Sequence, residues 1–439
     1  MEHYSQAAAL PPKSGTKAGT DSGTGAAGKT GNTGPLVVVT ILFFMWGLLT
    51  SMNDVLIPHL KAVYTLTYVQ AMLVQFCFFG AYLLVSLPAG MLIRRLGYQR
   101  GAVAGLVVAA IGCALFYPAA TSGYGVFLFA FFVLAGGITV LQVAANPYVT
   151  VLGDPRTASS RLTLTQAFNS LGTTVAPTLG GMLILSGGML SAGELAALPT
   201  AEQLAYRARE AASVQGPYLV LAGTLLLLAV LFALARLPKI VDAAGDAEQG
   251  RFGDLFAHRH LVLGTLGIFL YVGGEVSIGS FLINFLEDPK IGGMTAAQAA
   301  HYVSLYWGGA MVGRFIGFAV MRKVSPGKAL AFNAAASIVL IAIAVLGGGK
   351  VAMFAIIAVG LCNSIMFPTI FSMALHGLGK QTGQASGLLC MAIVGGALVP
   401  FAQGAVADAM GVQVSFVVPA ACYAFILYFG LKYADLHRQ

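Results

Sequence analysis

Apolar runs of about twenty residues recur from Pro35 almost to the end of the chain, each closed by a short polar or charged turn. A helix of about 20 apolar residues crosses the hydrocarbon core of a bilayer, so each run predicts a transmembrane helix. The pattern gives twelve spans, over 35–63, 69–93, 101–119, 124–152, 162–187, 216–236, 261–286, 301–322, 328–347, 351–376, 383–407 and 413–431. Residues 101–153 contain no charge. That is too long for one crossing, and "TSGYG" at 121–125 supplies the dividing turn.

Composition turns a helical chain into a membrane chain. Of 439 residues, 58% are apolar and 9% charged, with a mean hydropathy of +0.83. Soluble domains carry about a quarter charged residues. The expected fold class is an all-α integral membrane protein whose surroundings are the lipid bilayer, with no nucleic-acid partner. Residues 1–34, rich in Gly, Ser, Thr, Ala and Lys, lack the apolar core of a signal peptide and read as a disordered tail. Cys77, Cys113, Cys362, Cys390 and Cys422 all lie in apolar runs without a CxxC spacing. They read as small buried hydrophobes, with no metal, cofactor or disulfide framework expected.

Charge changes the picture through its distribution, because cytoplasmic loops collect Lys and Arg. With the N-terminus inside, the inner segments hold eighteen: Lys13, Lys17, Lys29, Arg94, Arg95, Arg100, Arg156, Arg161, Arg236, Lys239, Arg251, Arg259, Arg322, Lys323, Lys328, Lys380, Lys432 and Arg438. The outer segments hold five: Lys61, Arg207, Arg209, Lys290 and Lys350. Arg314 alone lies within a span. Both termini are therefore expected in the cytoplasm. The longest inner connection, 237–260, separates two six-span halves, 35–236 and 261–439.

The halves repeat. Gly172-x4-Pro177-x3-Gly181 in the fifth span matches Gly395-x4-Pro400-x3-Gly404 in the eleventh, an offset of 395 − 172 = 223. Gln142-x4-Pro147 in the fourth matches Asn363-x4-Pro368 in the tenth, at 363 − 142 = 221. Asp54 plus the same offset falls on Glu275 in the seventh. Two pseudo-symmetric six-helix halves predict a transporter with its site between them near the bilayer midplane.

Most of the 16 acidic residues lie in loops or tails. Glu275 stands roughly 15 to 20 Å along its helix from either charged end, at 1.5 Å per residue. Asp54 by itself could mark the end of its span, because Lys61 is about 10 Å further on; the repeat moves it inward. A carboxylate in the membrane costs at least about 2.5 kcal/mol and needs a partner, water or a proton. Asp54 and Glu275 are therefore candidates for coupling to a cation. Polar side chains also form stripes at helical spacing: Trp46, Thr50 and Asn53; Thr139, Gln142 and Asn146; Gln166, Asn169 and Thr173; Tyr271, Glu275 and Asn284; with Asn363 in the tenth span. Amides and aromatic faces suit a neutral polyol. Interhelical hydrogen bonds are the other reading. The basic turns "GMLIRRLGYQRG" (90–101) and "GRFIGFAVMRKVSPGK" (313–328) serve as an inner gate or as anchors.

"FFMWGLLTSMNDVLIPHLK" (43–61), "LQVAANPYVTVLG" (141–153), "SRLTLTQAFNSLGTTVAP" (160–177), "YVGGEVSIGSFLINFL" (271–286), "FPTIFSMALHGLG" (367–379) and "GQASGLLCMAIVGGALVP" (383–400) resemble the fucose permease and glucose/galactose permease family of the major facilitator superfamily. The resemblance runs from about residue 36 to 433, in order. It implies twelve helices, alternating access, a bacterial inner-membrane location and sugar uptake coupled to a cation. It implies coupling by Asp54 and a substrate role for Asn169. Where the fucose branch has a glutamate this chain has Gln142, where it has a tyrosine this chain has Phe367, and where it has a glutamine this chain has Glu275. The chain thus resembles the glucose/galactose branch more closely. Arg94 stands where the superfamily's inner-loop motif has an aspartate.

The expected activity is import of a neutral hexose, glucose or galactose, by a monomer in symport with H+. Na+ coupling, N-acetylglucosamine or L-fucose are the alternatives. Asp54 would couple the ion, with Glu275 as its candidate partner. Asn53, Gln142, Asn146, Gln166, Asn169, Asn284, Asn363 and Phe367 would line the sugar site, with Trp46 or Tyr271 stacking on the ring. A drug exporter would want an apolar cavity, against the amide stripes. An enzyme would want a nucleophile–base set, and the seven histidines lie at span ends or in loops.

Overall fold

A computed structural model describes residues 33–64, 68–184, 197–235, 252–294 and 296–436. Side chains are described for these apart from 33, 53–64, 68–72, 74–75, 177–178, 180–184, 204, 211, 296–297 and 300. The described chain is almost wholly helical, as lipid requires of a backbone that must satisfy its own hydrogen bonds.

The first six spans are Thr33–Tyr64, Tyr68–Leu96, Tyr98–Ser122, Tyr124–Val151, Ala158–Ile184 and Gln215–Leu234. The seventh to ninth are Arg259–Glu287, Ala296–Val320 and Pro326–Leu346. The tenth is broken into Gly349–Asn363 and Met366–Ala374. The eleventh runs as Thr382–Met391, a 3₁₀ turn Ala392–Val394, and Gly395–Met410. The twelfth comprises Val412–Ser415 and Val417–Lys432. Eleven described stretches are long and apolar enough to cross a membrane. The fifth span is not among them, because Ser159, Ser160, Arg161, Thr163, Thr165, Gln166, Asn169 and Ser170 make it polar.

Two features depart from the hydropathy reading. A further helix, Thr200–Ser213, carries Glu202, Arg207, Arg209 and Glu210; it precedes the sixth span where the pattern suggests only a loop. Of the tail, Thr33 and Gly34 already belong to the first helix, and the rest lies outside the described residues. So does most of the 237–260 connection, whose last residues form a 3₁₀ helix, Phe252–Ala257.

The pairing of spans repeats between the halves. The third packs on the fourth and sixth, the first on the fifth and the second on the fourth. Six spans later the same pairs recur: ninth on tenth and twelfth, seventh on eleventh, eighth on tenth. The contacts between halves obey the same rule, since second–eleventh and eighth–fifth exchange when six is added. Gly172 and Gly395, the repeat glycines, do one job twice. A methyl at Gly172 would strike the Phe44 carbonyl, and one at Gly395 the Phe269 carbonyl. Only a hydrogen lets first close on fifth and seventh on eleventh. Gly172→Val and Gly395→Val are each expected to destabilise the protein by about 1–3 kcal/mol, seen as a lower melting temperature in detergent.

Arg94, Arg95, Arg100, Arg156, Arg322, Lys323, Lys328 and Lys380 are exposed and mark one end of the bundle, called here the basic end. The halves meet toward this end. The Ser159 and Ser372 hydroxyls lie 2.5 Å apart, Ser160 donates to the Phe318 carbonyl at 2.8 Å, and Ser386 donates to the Val143 carbonyl at 2.9 Å. A Cβ on Gly387 would stand 2.6 Å from the Ser86 carbonyl. Arg161 donates to the Val149, Thr150 and Asp154 carbonyls at 3.2, 2.8 and 2.8 Å, capping the end of the fourth span as cations do at helix C-termini. Outside the spans, burial holds the His376 imidazole below its ordinary pKa.

Candidate functional site

Two prolines shape the helices that carry the site. A proline has no N–H, so it frees the carbonyl four residues earlier. Pro147 frees Val143, whose carbonyl accepts from Ser386. Pro368 frees Ser364, at the break of the tenth span, whose carbonyl accepts from Arg314 Nε at 3.2 Å.

In the first half the fourth and fifth spans present amides. Gln142, Asn146 and Gln166 are buried. The Gln142 Oε1, both Asn146 amide atoms and the Gln166 Nε2 have no hydrogen-bond partner in the protein. A buried polar atom left unmade costs about 1–3 kcal/mol, so a cluster of them is a place for a hydrogen-bonding ligand. Asn169, half-buried, donates to the Phe43 carbonyl of the first span at 3.0 Å. Trp46, one turn on, packs with its ring centroid 5.4 Å from that of Phe43 and lies near the Tyr82 hydroxyl of the second span.

In the second half the polar groups satisfy one another. The Asn363 Oδ1 accepts from the Tyr423 hydroxyl at 2.6 Å, and its Nδ2 donates to the Tyr306 hydroxyl at 2.7 Å. Its main-chain carbonyl accepts from the Tyr271 hydroxyl at 3.0 Å. The Tyr306 hydroxyl also donates to the Glu275 carbonyl at 3.2 Å. Tyr271, Tyr306 and Tyr423 are 0% exposed and Asn363 is 1% exposed. Tyr271 and Asn363 are thus enclosed in this conformation, and their polar atoms are held by the protein. The Glu275 carboxyl lies against the Tyr271 hydroxyl and in the field of the Arg314 guanidinium. Phe367 is buried between Phe371, stacked at 5.6 Å, and Tyr271 at 6.5 Å.

Asn284 is exposed, about 13 Å further along the seventh helix than Glu275 at 1.5 Å per residue, and is not brought into this group. The side chains of Asn53 and Asp54 lie outside the described residues. Their backbone belongs to Thr33–Tyr64, with Asp54 about 15 Å from the end of that helix and Glu275 about 18 Å from the end of its own, at the same rise. An open groove of about 540 Å³, lined by Met294, Gln298, His301, Tyr302 and Leu305, contains none of these residues.

Four contributors escape the polar-stripe reading: Tyr82, Tyr306, Tyr423 and Arg314. One signal was available, since 306 − 82 = 224, so the two tyrosines occupy equivalent places in the repeat. An arginine at the centre of a span costs about 2.5–3.5 kcal/mol on insertion scales. Arg314 offsets this with three acceptors: the Ser364 carbonyl, the Gln166 carbonyl at 3.4 Å and the Ser170 hydroxyl.

Twelve spans in two like halves, enclosing polar groups within the membrane, define a transporter rather than an enzyme. The chain belongs to the Major Facilitator Superfamily, whose sequence profile matches residues 39–393. It is 57% identical over 397 residues to the glucose/galactose transporter of Brucella abortus (strain 2308), covering 90% of this chain and 93% of that protein. It is 36% identical over 403 residues to the L-fucose-proton symporter of Escherichia coli (strain K12), covering 90% and 92%. The structure of the Major Facilitator Superfamily transporter FucP in the outward conformation superposes with a TM-score of 0.85 at 36% identity, covering 91% of this chain and 98% of that one. The fold class and the family resemblance read from the motifs are thereby met.

Proposed function

We propose that the protein imports a neutral hexose, glucose or galactose, in symport with H+ by alternating access. The observation that carries the site is the set of orphaned amide atoms on Gln142, Asn146 and Gln166. They are uncharged, buried and on two adjacent spans, which suits sugar hydroxyls and not an ion or a hydrophobic drug. The relatives named as glucose/galactose transporters and as an L-fucose-proton symporter support the substrate class and the coupling ion. Asn169 and Trp46 border the site from the fifth and first spans. Asp54 is the carboxylate that takes up and releases the proton, and Asn53 stands beside it. Tyr271, Asn363 and Phe367 form the wall on the other side. No cofactor is required, because the driving force is the ion gradient.

The basic end and both termini are read as cytoplasmic, in a bacterial inner membrane, because cytoplasmic loops collect Lys and Arg. The halves touch there, and the second and eleventh spans also touch toward the other end, where the Phe76 and Phe401 ring centroids lie 6.3 Å apart. One chain holds both halves of the site, and the working unit is a monomer.

The test is uptake of labelled glucose, galactose and L-fucose into proteoliposomes under an imposed pH gradient or an imposed Na+ gradient. Glucose or galactose is expected to accumulate with the pH gradient alone and to leak away when a protonophore is added. Accumulation that follows Na+ instead would replace the ion. Accumulation of fucose alone would replace the substrate.

A further inference from the structure

Arg314 is the one cation found inside a span by the sequence, and the transport reading above gives it no task. Its guanidinium reaches both halves. Nε binds the Ser364 carbonyl of its own half. Nη1 binds the Gln166 carbonyl and the Ser170 hydroxyl of the fifth span, in the other half. Its neighbour Gly313 lets this happen, because a Cβ there would stand 2.5 Å from the Ser364 hydroxyl and 2.6 Å from the Leu361 carbonyl. The three acceptors are uncharged, and among the described residues the Glu275 carboxyl lies within electrostatic reach of the guanidinium.

A forked, permanently charged group suits this place, where a lysine would bind only as a point charge. When the halves separate, the two Nη1 bonds break and the Nε bond stays. The arginine therefore favours the joined state. An ionised Glu275 would balance that charge while the halves are joined. With a neutral residue at 275 the uncompensated arginine favours water around it, and so an opened basic end.

We propose that Arg314 is a positioning residue that latches the two halves toward the basic end, with Glu275 as its counter-charge and not as a second carrier of the transported proton. The proposal rests on the alternating-access reading given above, but its test does not depend on which sugar is carried.

The Ser159–Ser372 contact supplies the readout. These residues belong to different halves and their hydroxyls touch, so S159C/S372C would form a disulfide only while the basic end is closed. The pair is placed in a chain whose five native cysteines are replaced by alanine, with a protease site in the 237–260 connection. After mild oxidation and cleavage, the halves stay joined only where the bond has formed. R314Q is expected to slow cross-linking at least about tenfold, the shift for loss of a charge-assisted bond. R314K, which keeps the charge and serves if R314Q does not fold, is expected to slow it about threefold. E275Q is expected to slow it too, and E275Q/R314Q to be no slower than R314Q, because the counter-charge acts through the arginine. Cross-linking at the parent rate in R314K and R314Q would overturn the latch. In uptake, E275Q is expected to lower the rate and keep the sugar accumulated per unit of pH gradient. A changed accumulation ratio would overturn the counter-charge role.

Discussion

Asp54→Asn is expected to abolish uphill accumulation of sugar while sugar-for-sugar exchange continues. Asparagine resembles the protonated acid in shape and charge but cannot release a proton. Exchange needs only that the loaded carrier reorient, a step the neutral side chain permits. Net uptake needs the empty carrier to return after giving up its proton, and the variant has none to give. With one proton per sugar, a gradient of one pH unit supplies about 1.36 kcal/mol, or about tenfold accumulation. The variant is expected to reach a ratio of about one under the same gradient. Paired measurements of counterflow and of gradient-driven uptake in the same vesicles check this. Accumulation at the parent level would remove Asp54 from coupling and leave the transport reading to be carried by another group.

Asn363→Leu and Gln142→Leu are expected to part company, although both delete a buried amide at equivalent places in the repeat. The Asn363 amide holds the hydroxyls of Tyr306 and Tyr423. Leucine there leaves the wholly buried Tyr423 hydroxyl without this partner and weakens the tie to Tyr306, for a loss of about 2–4 kcal/mol. The melting temperature in detergent is expected to fall sharply, and transport with it. Gln142 offers an acceptor that the protein does not use. Replacing it by leucine removes an unsatisfied group, so stability is expected to hold or rise, while the KM for sugar rises at least about tenfold from a lost hydroxyl contact. Equal melting temperatures for the two variants, or an unchanged KM in Gln142→Leu, would contradict the division of the site into a binding side and a scaffold side.

That division was not legible in the sequence, which shows Gln142 and Asn363 as two amides at one offset. Hydropathy reports transfer from water to lipid, and so it located span ends to within a few residues, for example 328–347 against Pro326–Leu346. It does not report which neighbour answers a polar group. What separates the roles of Gln142 and Asn363 is what faces each amide, and for Asn363 that is the tyrosines of the eighth and twelfth spans. The helix Thr200–Ser213 was missed for a related reason: its charged residues suppress the apolar signal although its backbone is helical. The breaks in the tenth and eleventh spans leave composition unchanged, and only Pro368 hints at one of them. Arg314 was visible as an exception to the charge count. Its role was not, because two of its acceptors lie in the other half, nearly 150 residues away. Asp54 and Glu275 are singled out by the repeat, and their backbones lie about 15 and 18 Å from the ends of their helices.

The carbonyls freed by Pro147 and Pro368 give the two halves unequal duties. The Val143 carbonyl is answered from across the interface, by Ser386, while the Ser364 carbonyl is answered from within its own half, by Arg314. Opening the basic end therefore strips the fourth span of a hydrogen bond and leaves the corresponding bond on the tenth in place. Water or a departing sugar must take up the vacated carbonyl beside Gln142. The duplicated halves are alike in helix and in proline, yet of the two carbonyls that these prolines free, it is the one on the fourth span whose partner changes with each turn of the cycle.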